Sequence, residues 1–147
     1  MRWTWLVLAL VACSKDDVTS SEGAYVKHEL ATLEQAMRDG NESGIVIECV
    51  GLRTSVPRMA AATAAKVERL CDVEGPRLLL KKAIDDVNAK NAEHPEMPDL
   101  NCFQLFAGDA FKAMARSKVA DAELEKLAAE YTRLCPAAAG KLRQPPR

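Results

Sequence analysis

Apolar residues in this chain recur mostly three and four positions apart, the spacing of one helical face. Val26, Leu30, Leu33 and Met37 make the first stripe, and Asp39-Gly40 closes it with a glycine suited to a C-terminal cap. Ser43 to Arg53 carries Ile45, Val46, Cys49, Val50 and Leu52, short and β-branched. It is read as helix because nothing else in the chain offers it a strand partner. Ser55 is the expected cap of a third helix, with Pro57 in its first turn, running through Met59, Ala62, Lys66, Val67 and Leu70 to about Val73. Its alanines leave a low face for close helix approach. Gly75-Pro76 is expected to break and restart the chain before the stripe Leu79, Leu80, Ala83, Ile84 and Val87. Asn91 to Asn101, with Pro95 and Pro98, reads as a loop. Phe103, Phe106, Ala107, Ala110 and Met114 predict the next helix, with Phe103 and Phe106 in the core and Phe111 off the main stripe. Asp121 is placed to cap a last helix with the stripe Leu124, Leu127, Ala128, Tyr131 and Leu134, ended by Pro136. The expected fold is all-α, an irregular bundle of four to five helices.

The N-terminus has a different pattern. After Met1-Arg2, positions 3–12 are apolar except for Thr4, and the next charge is Lys15. The eleven residues from Trp3 to Cys13 are too few for a bilayer core, which takes about 20 in a helix. Their length suits the apolar stretch of an export signal. The run ends Leu10-Val11-Ala12-Cys13-Ser14, which resembles the lipobox of bacterial lipoproteins. A single arginine stands where such signals usually carry several residues. The resemblance covers the first 14 or so residues and implies a signal peptide over 1–12 and cleavage between Ala12 and Cys13. It also implies diacylglycerol on the Cys13 thiol and acylation of the new amine. Two or three acyl chains hold a protein on a membrane far better than one. Ser14 and Lys15 lack the retention aspartate of enteric lipoproteins, which favours the outer membrane. Residues 13–24 are read as a flexible tether, 25–135 as the domain, and 136–147, rich in Ala and Pro, as a disordered tail.

Cysteine arithmetic agrees with that assignment. Five cysteines is odd, and giving Cys13 to lipid leaves Cys49, Cys71, Cys102 and Cys135 for an oxidising compartment. Four cysteines allow three connectivities. Helix legs of matched length, about 15 residues out from Cys102 and 14 back from Asp121, favour pairing Cys102 with Cys135. Cys49 with Cys71 follows by weaker geometry, because those legs are unequal.

Twenty basic against 21 acidic residues in 147 give a net charge of -1, without the basic field that non-specific nucleic-acid binding requires. No catalytic or metal constellation is legible. His28-Glu29 begins like a zinc-protease motif, but Thr32 stands where the second imidazole is needed. His94 sits in a flexible loop beside Glu93 and Glu96. Asp85 and Asp86 are adjacent, so on a helix they point about 100° apart and cannot work as a facing acid–base pair. There is no nucleophile elbow, phosphate-binding glycine loop or CxxC pair. No cofactor is expected. The function read from this pattern is a non-enzymatic, lipid-anchored module that binds an envelope protein, as accessory factor or inhibitor. A carrier of an apolar ligand, or an enzyme with an unrecognised site, are the alternatives.

Overall fold

The computed structural model describes residues 20–142; the lipobox with Cys13, most of the tether, and residues 143–147 lie outside the described residues. The fold is all-α and stapled by two disulfides, Cys49–Cys71 and Cys102–Cys135. Helix α1 (Ser20–Asp39) ends at Gly40, whose φ of 64° is the left-handed conformation that glycine tolerates best. Asn41 then caps α2 (Glu42–Ser55) by accepting the Gly44 N–H on its side chain.

The expected start of a third helix at Ser55 is corrected. α2 continues through Ser55, which is buried, and a 3₁₀ turn (Val56–Arg58) absorbs Pro57 before α3 (Ala61–Arg69) begins. The expected break at Gly75-Pro76 is also absent. A π-helical turn (Leu70–Glu74) carries α3 directly into α4 (Gly75–Glu93). The wider turn lets the chain pass a proline without the clash it causes inside an α-helix. Gly75 eases that passage, because a Cβ there would lie 3.0 Å from the Leu70 carbonyl oxygen and 3.1 Å from Ile45 Cγ2, both tight contacts.

A single turn, α5 (Pro98–Asn101), leads to α6 (Ala107–Arg116), α7 (Ala122–Leu134) and α8 (Pro136–Leu142). Asp121 caps α7 as expected, accepting the Leu124 N–H at 2.8 Å. It also takes the Arg77 guanidinium from the first turn of α4. The arginine and the Leu124 amide hold its carboxyl below the usual carboxylate range. Pro136 does not end the helical structure. It opens α8, where its missing N–H costs nothing, and Ala139 of that helix is fully buried. The core is one cluster from Val26 and Leu33 through Leu52, Val67, Leu80 and Val87 to Phe111, Leu124 and Tyr131.

The helices form an antiparallel series along α4. Ala36 of α1 lies against Gly44 of α2, while Tyr25 and Glu29 lie over Gly51. In turn, Glu42 of α2 meets Lys82 of α4, Ile45 meets Gly75, and Arg53 donates to the Cys71 carbonyl and pairs with Asp72. The start of α1 therefore shares one end of the bundle with the start of α4. The opposite end holds the last turn of α4, where Asn91 meets Asn101, and the Cys102–Cys135 bridge. α4 has 19 residues, which at 1.5 Å per residue separates the two ends by about 28 Å.

Candidate functional site: an apolar cleft beside the second disulfide

At the Asn101 end the chain between α4 and α6 does not continue the helical stripe. Asn101 is buried, and its side-chain amide donates to Asn91 Oδ1 and to the His94 carbonyl, both at 2.8 Å. Those bonds fold residues 94–102 into a tight turn and place Cys102 beside the end of α7. The bridge to Cys135 has a Cα separation of 5.5 Å, inside the usual range for a disulfide. The Tyr131 hydroxyl donates to the Cys102 carbonyl at 3.1 Å from a buried position. Burial pushes the Tyr131 hydroxyl pKa up, so the group stays a neutral donor. Its ring meets Phe111 at 6.0 Å between centroids, tilted by 53°.

The turn leaves its apolar side chains outside. Leu100, Phe103 and Leu105 are 71%, 75% and 70% exposed. Phe103 is thus not core, contrary to the periodicity, and Phe111 is core. Phe103 and Leu105 line a cleft of about 750 Å³ between the 98–105 segment and the α7–α8 corner, floored by Cys102, Tyr131, Leu134 and Cys135, with Leu100 on the same segment outside the lining. Helix α8 is seated by Gly108 of α6. A Cβ at that glycine would lie 3.0 Å from Leu142 Cδ2, so only glycine admits Leu142 this closely. Asp99 and Lys141 bring one charge of each sign to the lining. The cleft can therefore take a mainly apolar occupant without demanding a charged one.

The predicted disulfide cysteines fall into the two predicted pairs. Cys49–Cys71 joins α2 to the π-turn, with a Cα separation of 5.4 Å. It borders a smaller hollow of about 250 Å³ that includes Val46, Arg53, Lys112 and Arg116. Cys13 lies outside the described residues. Exposed His28 has Thr32 Oγ1 bonded to its carbonyl, so that segment is ordinary helix surface. His94 Nδ1 lies 3.4 Å from Glu96 on an exposed loop. Among the described residues no cluster of three His, Cys, Asp or Glu side chains is arranged to hold a metal ion. Among the described residues no helix is long and apolar enough to cross a membrane. The cleft itself escaped sequence reasoning, because Phe103 fits the helical period and only the Asn91–Asn101 pair, ten residues apart, withdraws it.

No family model, curated protein or solved structure matches this chain.

Proposed function

We propose that this chain is a lipid-anchored envelope protein, tethered through Cys13, that acts by binding another protein in the cleft beside Cys102–Cys135. The observation that carries the reading is the exposed pair Phe103 and Leu105 lining that cleft, with exposed Leu100 on the same segment. Contiguous exposed apolar groups on a soluble domain are costly to leave in water, and such patches typically mark an interaction site. The disulfide and the Tyr131–Cys102 hydrogen bond hold the cleft walls in place, which lowers the ordering cost of association.

The choice of a protein as occupant, over the bilayer, rests on where the tether enters. Seven residue steps separate Cys13 from Ser20, a reach of at most about 25 Å fully extended. That reach ends at α1, whose start lies at the opposite end of the bundle from the cleft. An anchored molecule would present the cleft away from its own membrane. Two disulfides in a chain with this leader suit an oxidising extracytoplasmic compartment.

Affinity capture tests the reading. The Cys13→Ser chain, exported and oxidised, serves as bait in an envelope extract of its host. The expected result is a stoichiometric protein that is lost when Leu100, Phe103 and Leu105 are all changed to Ser. Equal capture by both baits, or none by either, would remove the cleft from the account. A second reading is carriage of a small apolar ligand, favoured by the cleft volume, which lies inside the range of about 300–1,000 Å³ typical of ligand pockets. Native mass spectrometry of the exported chain separates the two: a bound small molecule supports carriage.

A further inference from the structure

α1 is joined to the bundle chiefly along α2, and its contact with α2 contains two carboxyl groups. Glu48 of α2 lies against Glu29 of α1. Its Oε2 is buried and receives no hydrogen bond. Glu29 Oε2 and the Tyr25 hydroxyl sit over Gly51, 3.9 and 3.6 Å from where a Cβ would be, one helical turn along α2 from Glu48. Three cations of the neighbouring elements are engaged elsewhere. Lys66 of α3 pairs with Glu34, Lys82 of α4 reaches Glu42 and Asp86, and Arg53 of α2 pairs with Asp72. His28, on the next position of α1, is the nearby group whose charge works in the opposite sense, favouring ionisation of Glu48.

Two ionised carboxylates can only accept hydrogen bonds, and side by side they repel. One proton from solvent changes that: the neutral carboxyl donates an O–H to its ionised neighbour, and the pair's charge falls from two to one. We propose that Glu29 and Glu48 form a proton-linked clasp that holds α1 to α2 more tightly in mildly acidic than in neutral solution. The Glu48 carboxyl is shifted in the corresponding direction, raised first by its contact with Glu29 and then by burial. A carboxyl whose folded pKa exceeds its unfolded one binds the proton more tightly when folded. Its stabilising contribution is complete below the unfolded value and is lost as pH rises through the folded value. Under the proposed anchoring, α1 is the element nearest the membrane, so the clasp would set how firmly the domain's first helix is held as envelope acidity changes.

Amide hydrogen exchange of α1 in the oxidised, exported chain tests the clasp, compared at about pH 5 and about pH 7.5 after correction for intrinsic rates. The opening constant of α1 should rise roughly two- to tenfold at the higher pH, the worth of one net hydrogen bond. Glu48→Gln keeps the shape and supplies a donor at every pH, so it should hold α1 closed at both values. Glu29→Gln should flatten the same dependence. His28→Gln should leave it in place. An unchanged α1 opening constant in the wild type would overturn the clasp. So would a pH dependence that persists in Glu48→Gln and Glu29→Gln, or one that vanishes in His28→Gln.

Discussion

The two disulfides staple two regions built to different ends. Around Cys49–Cys71 the chain is packed more tightly, and the hollow beside the bridge holds only about 250 Å³. The bridge joins α2 to the π-turn, Arg53 satisfies the Cys71 carbonyl and pairs with Asp72, and Gly75 lets Ile45 settle against the turn. Around Cys102–Cys135 the same kind of bridge forms the floor of an open cleft lined by the exposed apolar side chains Phe103 and Leu105. One staple closes a core, and the other holds a surface in shape. The difference lies in the connecting chain. The π-turn continues the helical rod and keeps its apolar residues inward, whereas the Asn101 turn interrupts the rod and pushes Leu100, Phe103 and Leu105 out.

The largest expected effect is loss of either bridge. Their sequence separations are 22 and 33 residues, and the chain-entropy model gives about 3–4 kcal/mol for each. Urea unfolding of Cys49→Ala with Cys71→Ala, and of Cys102→Ala with Cys135→Ala, should show destabilisation of that size in both. Only the second pair should also weaken capture by the cleft. Similar binding losses in the two variants would erase the distinction between core staple and surface staple. Next comes Tyr131→Phe, which leaves the Cys102 carbonyl without its donor. A neutral hydrogen bond of this kind is worth about 1 kcal/mol, and the unfolding midpoint should fall accordingly, with the slope unchanged. A negligible shift would mean that the bond does not brace the cleft floor. The smallest effect on stability belongs to the exposed trio. Leu100, Phe103 and Leu105 changed to Ser should each alter stability by less than about 0.5 kcal/mol, as solvent-facing positions do. A cost of several kcal/mol would make them core and end their role as a docking surface.

Helix type and the first and last stripes were legible in the sequence because Val26, Leu30, Leu33, Leu124, Ala128 and Tyr131 bury on one face at helical spacing. The cysteine pairing was legible for the same reason, since helix legs limit which sulfurs can meet. Two local readings failed where a tertiary partner overrode local chemistry. Gly75-Pro76 has the composition of a break, yet the π-turn and the contact with Ile45 make it a continuous joint. Phe103 has the period of a core residue, yet Asn101 pays its burial cost with two side-chain hydrogen bonds and pulls the turn out of helical register. α8 was hidden by its opening proline and its alanines. Ala139 and Leu142 bind it to the bundle only because Gly108 leaves room on α6.

The proposed protein partner docks in the cleft, at the end of the bundle opposite the start of α1. Site-specific photocrosslinking in intact cells tests it most directly, with the crosslinking residue at position 103 in one strain and at position 47 in another. Ile47 is also exposed, but on α2 and outside the cleft. A discrete protein adduct is expected from position 103, abolished by Leu100→Ser with Leu105→Ser, and none from position 47. Adducts of equal yield from both positions, or lipid adducts from position 103, would contradict it.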